Sequence, residues 1–379
     1  MVERRQIVEM ARRSGGEAGV LVTLVRAEGS SYRRPGARLL TSAGSTAYAG
    51  TISGGCLENE VIKKAIWKVR NGATVERYST LFDDTAEIPY GLGCGGTIDL
   101  LLEAAGTPEF HALIEALEAS LTGQRSTVLT WLPAAGRAFK RAVLSETGEV
   151  LFRSEGLDED QLSAQINEVL LAEIPDVFVE QLAPPQRLFV LGAGDDAKPV
   201  VRMADLLGWN SIVVDGRPHL ARKERFASAE DVVMAHAEDL PRLGIMAEDA
   251  VVLMTHSYEQ DRAWLAAVLP IAPRYLGVLG ARHRSSLLVS EAAAMTGLSV
   301  AECCARIYAP VGLNLGGDGP EAIALSVIAE VQACCTGGLP SSRRLSAPEV
   351  IEQIAQGGAS RYLQSCALNL DPDLNPSVV

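Results

Sequence analysis

The chain has 379 residues, 47% of them hydrophobic and 21% charged, and a formal net charge of −13. That length suits about two domains of roughly 100–200 residues, each with an ordinary packed core. The acidic balance, with no long basic run, excludes nucleic-acid and anionic-membrane partners, which need a positive surface.

From the N-terminus, "GVLVTLVRAEG" (19–29) reads as a strand ending in glycine. "SSYRRPGARLLT" turns at Pro35-Gly36 into a second short strand, and "TAYAGTIS" (46–53) reads as a third. The period then changes. Leu57, Val61, Ile62, Ala65, Ile66 and Val69 fall at helical spacing, with Glu58, Lys63, Lys64, Lys68 and Arg70 on the other side. Asn71-Gly72 ends that helix. "GLGCGGTIDLLLEA" (91–104) is a glycine loop feeding a strand, and strand-like runs at 126–132 and 141–153 enclose an "SETGE" turn. A polar stretch (158–172) is read as helical, and the paired prolines of "LAPPQ" mark a linker. Beyond it, apolar runs at 187–191, 211–214, 231–235, 249–254 and 274–279 alternate with helix-forming stretches. That alternation is the pattern of a doubly wound parallel sheet.

The predicted organisation is α/β. A mixed α/β N-terminal domain (1–182) and a linker (183–186) lead into a Rossmann-like domain (187–340), with an extended or short-helical tail (341–379). No run approaches the ~20 apolar residues of a membrane span, and the N-terminal region has no apolar signal core. The seven cysteines form no spread disulfide framework: Cys56, Cys94 and Cys366 stand singly, and Cys303–Cys304 and Cys334–Cys335 are neighbours that fill apolar gaps. A cytoplasmic protein with reduced thiols is expected.

"RLFVLGAGDDAKPVVRMADLLGWNSIVVDGRP" has the frame of a dinucleotide-binding unit. Gly192, Gly194 and Ala197 occupy the small-residue positions, and Asp215 ends the second strand where a ribose hydroxyl would be accepted. Asp195 and Asp196 stand at the helix start, where carboxylates compete for the N–H groups that would hold a pyrophosphate. The frame therefore serves either NAD(P) or a scaffold without a nucleotide.

Cys56 follows Gly54-Gly55 at a helix start, whose dipole favours a thiolate, and Cys94 is wrapped by Gly93, Gly95 and Gly96. Each cysteine is either structural filler or a thiol set out for chemistry; the spacing is not that of a zinc site. Arg33, Arg34 and Arg38, around a Pro-Gly turn, read as an anion clamp or a solvated turn. Thr255 and His256 follow a strand, where α/β sheets place ligands, and His256 is an acid, a ligand or a structural histidine. In "GLNLGGDGPEAIALSVIAEV", Asp318 reads as a helix cap and Pro320 as an early helical residue, while Gly316 and Gly317 leave room for a ligand.

Taken together, "GSSYRRPGARLL", "GTISGGCLENEV", "GLGCGG", "LFVLGAGDDA", "VVDGRP", "VVLMTHSYEQD", "YLGVLGAR" and "PVGLNLGGDGPEAIALSVIAEV" resemble the xanthine dehydrogenase accessory factor (XdhC/CoxI) family. The resemblance implies a cytoplasmic, dimeric protein that binds the molybdenum cofactor (molybdopterin). It further implies support of cofactor sulfuration and insertion into a xanthine dehydrogenase-type molybdenum hydroxylase, with a cysteine desulfurase as transient partner. Cys56 and Cys94 are then candidate molybdenum ligands, since thiolate suits a soft, sulfur-coordinated centre. The arginines and bare glycine amides would hold the cofactor's phosphate. The family's nucleotide loop usually reads G-A-G-H-V-G; here Asp195, Asp196 and Ala197 replace its last three distinctive residues, and Tyr32 stands where proline is common. Rival readings are an NAD(P)-dependent oxidoreductase on the Rossmann-like domain, a persulfide-carrying cysteine and a pure interaction protein.

Overall fold

The computed structural model describes residues 1–13, 19–29, 31–42, 47–55, 57–79, 96–157, 176–338, 341, 344 and 346–355. The chain forms two compact units: Glu3–Pro184 with Arg344–Val379, and Met1–Val2 with Pro185–Arg343.

The first unit is built on two antiparallel sheets. Strands β1 (Gly19–Gly29), β2 (Arg38–Ser42), β3 (Tyr48–Gly50), β4 (Thr74–Ser79) and β5 (Gly96–Ala104) pair in the order β3-β2-β1-β5-β4. Strands β6 (Ser126–Trp131), β7 (Lys140–Ser145), β8 (Val150–Arg153) and β9 (Val177–Leu182) pair as β8-β7-β6-β9. β1 reads as a continuous apolar run because both its faces are covered. Val20, Val22 and Leu24 pack with Leu57, Val61 and Ala65 of the helix region around α2 (Glu58–Lys68), while Leu21 joins a cluster from α1 (Val2–Arg13) and α3 (Pro108–Leu121). The two sheets are tied by a buried ion pair: Arg141 on β7 donates to both oxygens of Glu103 on β5, at 2.8 and 2.9 Å, and to the Glu109 carbonyl.

The second unit is a five-stranded parallel sheet. Strands β10 (Arg187–Leu191), β11 (Asn210–Val214), β12 (Asp231–Val233), β13 (Ala250–Leu253) and β14 (Tyr275–Val278) stand in the order β12-β11-β10-β13-β14. Helices α4 (Ala197–Leu206) and α9 (Pro320–Thr336) cover one face. A short α5 (Leu240–Leu243), α6 (Tyr258–Val268), α7 (Arg282–Thr296) and α8 (Val300–Arg306) cover the other. The order reverses between β10 and β13, so the crevice beyond their carboxyl ends is the natural ligand position of such a sheet. The α/β expectation, with the strands anticipated after the linker, is met within two residues at each end.

The differences have physical causes. Glu58, on the polar side of the helical pattern, is only 2% exposed because the preceding loop folds over it, whereas Ile66 lies 52% exposed. The third strand is shortened to Tyr48–Gly50, and helix α9 is capped by Gly319 rather than by Asp318. Cys303 is buried as expected, but Cys304 is exposed. The tail carries α10 (Ala347–Ala355), and the helix expected over 158–172 lies outside the described residues. Among the described residues no single helix is long and apolar enough to cross a membrane.

Candidate functional site

The loop before α2 is wound around one carboxylate. Glu58 accepts the backbone N–H groups of Ile52 (3.0 Å), Ser53 (2.9 Å) and Gly55 (2.9 Å), and the hydroxyls of Thr51 and Ser53. Burial pushes the Glu58 carboxyl up, but the hydroxyl and amide hydrogen bonds outweigh it and hold it down at about 2. Ser53 Oγ in turn accepts Leu57 N–H at 2.8 Å, and Thr51 Oγ1 accepts Gly54 N–H at 3.0 Å. Gly54 and Gly55 have φ of 82° and 111°, a left-handed region that favours glycine. A side chain at Gly54 would also strike the Tyr32 ring, 2.7 Å from its built Cβ.

The Gly54 turn and the first residue of β5 both lie near the end of β1. Gly96, the first residue of β5, pairs with Gly29, the last of β1. The chain then runs to Tyr32, whose ring lies against Gly54. Cys56, Cys94, Gly93 and Gly95 themselves lie outside the described residues. Glu58 and Tyr32 were not assigned to the site from sequence. The signal for Glu58 is a first-turn carboxylate preceded by hydroxyl residues and two glycines in "TISGGCLE".

The expected phosphate cradle is largely spent inside the fold. Arg33 is paired with Glu3, and Arg38, 6% exposed, is held by both oxygens of Glu180. The Ile52, Ser53 and Gly55 amides face Glu58. Arg34 is exposed and has no side-chain partner among the described residues. No group of three or more His, Cys, Asp or Glu among the described residues is arranged to hold a metal ion.

In the parallel unit, Gly192 leaves β10 with φ 125°, and a Cβ there would lie 2.4 Å from the Met254 carbonyl, so the turn demands glycine. Asp215 is not open to a ribose: it accepts Ala193 N–H at 2.8 Å and the Arg217 guanidinium at 2.9 and 2.8 Å. Burial raises the Asp215 carboxyl, yet these bonds leave it below its ordinary value. Asp195 pairs with Lys198 (2.7 Å) and Arg225 (2.9 Å). Asp196 shares a hydrogen bond of 2.8 Å with His256 Nε2, and His256 has a left-handed φ of 61°.

Beyond the ends of β10, β13 and β14 lies a cleft of about 670 Å³. Met254, Leu279, Pro320 and Ile323 form its apolar walls; Gly194 sits behind Asp196 beside it. Asp195, Asp196, His256, Arg284 and Asp318 are its polar groups. Arg284 is anchored from behind: it donates to the buried Asp261 at 2.6 Å, and Asp261 also accepts the Thr255 hydroxyl at 2.7 Å. Arg217 and Arg284 were not singled out from the sequence.

Residues 188–331 match the model of the XdhC Rossmann domain, and residues 12–79 match that of the XdhC and CoxI family. Together the two matches span more than half of the chain. The chain belongs to the XdhC and CoxI family. The parallel unit is thus an XdhC Rossmann domain, and the glycine loop wound on Glu58 falls in the segment that carries the family's second match. A Bacillus subtilis (strain 168) protein named as a probable xanthine dehydrogenase subunit is 28% identical over 328 residues, covering 83% of this chain and 92% of that protein. The Escherichia coli (strain K12) protein "Uncharacterized protein YqeB" is 31% identical over 199 residues, 49% of this chain and 36% of that protein. The crystal structure of a xanthine dehydrogenase from Bacillus halodurans superposes with a TM-score of 0.74 at 26% identity, covering 91% of this chain and 99% of that one.

Proposed function

We propose that this XdhC-family protein is an accessory factor of a xanthine dehydrogenase-type molybdenum hydroxylase, and that it binds the molybdenum cofactor at the glycine-loop end of its antiparallel unit. On this reading it supports sulfuration and insertion of the cofactor, receives sulfur through a transient cysteine desulfurase partner, and works as a cytoplasmic homodimer. The observation that supports it concerns described residues next to the two cysteines: Gly96, two residues after Cys94, pairs with Gly29 at the end of β1, and the Tyr32 ring lies against Gly54, two residues before Cys56. The relatives' names supply the xanthine dehydrogenase connection. Cys56 and Cys94 would offer soft thiolates, and the bound group would supply the molybdenum–sulfur chemistry. Arg34 is the remaining cation at the turn for its phosphate, since Arg33 and Arg38 are held by carboxylates.

The test is a titration of isolated cofactor into wild type, Cys56→Ser, Cys94→Ser and Cys366→Ser, reading molybdenum and pterin fluorescence retained after gel filtration. The first two variants should lose binding or transfer to a client enzyme, and Cys366→Ser should keep both. Equal retention by all four proteins would overturn the proposal, as would a loss that tracks unfolding by circular dichroism. The NAD(P)-dependent oxidoreductase reading is disfavoured by the occupied Asp215 and by the carboxylates at the start of α4.

A further inference from the structure

Helix α2 leaves the glycine loop with one side committed to the fold and the other bare. Val61 and Ala65 are sealed at 0% exposure against Val20, Val22 and Leu100 of the sheet, so the helix is a fixed platform. On the opposite side Asn59, Lys63, Ile66, Trp67 and Arg70 recur at three- and four-residue spacing, and all are exposed. Ile66 is 52% and Trp67 60% exposed, whereas Trp209 and Trp264 are buried. The Arg70 guanidinium lies 3.8 Å from the centroid of the Trp67 ring and donates to the Trp67 carbonyl at 3.2 Å, so the ring is ordered in advance. Tryptophan and arginine are the residues on which binding energy concentrates in protein interfaces.

The charge of this face narrows the partner. Glu60 and Glu76 hold Lys64 and Lys68, which leaves Lys63 and Arg70 to border Trp67 one turn to either side. On a chain of net charge −13 this is a local positive face. A second copy pressing the same helix would set Lys63 and Arg70 against themselves, and an anionic bilayer would be repelled by the chain as a whole. We propose that the outer face of α2 is a docking surface for an acidic face of the molybdenum hydroxylase, with Trp67 as its anchor. This rests on the accessory-factor reading. Trp67 lies about 14 Å along the helix from Glu58, at ~1.5 Å per residue. A footprint of about 800 Å² centred on Trp67 therefore reaches the glycine loop and sets the receiving enzyme beside it.

Biolayer interferometry of the full-length protein against the purified hydroxylase, expressed without its cofactor, tests this. Trp67→Ala should weaken binding at least about thirtyfold. Lys63→Glu with Arg70→Glu should slow association and remove its decline with rising salt. Both variants alter exposed side chains only, so both should keep the wild-type circular dichroism and retain the molybdenum cofactor on gel filtration as wild type does. Leu206→Ala, at an exposed leucine of the parallel unit, should bind the hydroxylase as wild type does. Unaltered affinity in both α2 variants, with wild-type binding intact, would overturn the surface alone; no binding by wild type would overturn the accessory-factor reading with it. Loss of binding to a cysteine desulfurase instead of the hydroxylase, loss of self-association by light scattering, or loss of binding to phosphatidylglycerol vesicles would each give Trp67 a different partner and overturn the proposal.

Discussion

Glu58 performs inside the fold the task the sequence assigns to an outside ligand. Open glycine amides ahead of a helix read as a cradle for phosphate; here a carboxylate three residues after Gly55 takes them first. Replacing Glu58 with Gln removes the charge from an acceptor serving five donors and should destabilise the antiparallel unit by about 2 kcal/mol, measured by chemical denaturation. The pH dependence follows from the sign of the shift. The folded-state carboxyl is held at about 2, below its unfolded value, so its contribution is complete above the ordinary carboxylate range and is lost as pH falls toward 2. The stability gap between wild type and Glu58→Gln should therefore be constant near neutrality and close progressively below about pH 4. A gap that does not change down to pH 2.5 (about one half-unit above the folded value) would show that the carboxylate is not what orders the loop.

At the scale of elements, the Glu103–Arg141 pair is the clearest joint between the two antiparallel sheets, with both side chains at 1–2% exposure. Removing one partner leaves an unpaired buried charge, so Glu103→Gln should cost about 3–5 kcal/mol, whereas Glu103→Leu with Arg141→Met should recover most of it. A double variant as unstable as the single one would mean that the Glu109 carbonyl, not Glu103, carries the joint. Neither residue was legible as a pair, because one lies in an apolar strand and the other follows a turn. The parallel strands were legible because strands buried on both faces read as short unbroken apolar runs, as in Arg187–Leu191 and Tyr275–Val278. Strand β4, "TVERYS", and helix α1, "VERRQIVEMARR", were not, since each is dominated by polar residues and draws its stability from what packs against it. The site was half legible. Glycines with positive φ announced the loops, but the acids and bases that fill them, Glu180 on Arg38 and Arg217 on Asp215, come from elsewhere in the fold or from a two-residue turn.

For the molecule as a whole, each apolar cluster draws its residues from one unit alone. Heating should therefore give two calorimetric transitions, and Glu58→Gln should lower only one of them, by several degrees. A single transition that moves as a whole would show the units to be thermodynamically coupled. Strand β1 sits between β2 and β5 in the finished sheet, with Val20, Leu21, Val22 and Leu24 sealed from water, but β5 begins only at Gly96. During synthesis on the ribosome, that apolar strand emerges long before the neighbour that completes its pairing. Until then it presents an open edge of the kind that nascent chains aggregate through, so the N-terminal unit is most exposed to misassociation while its second half is translated.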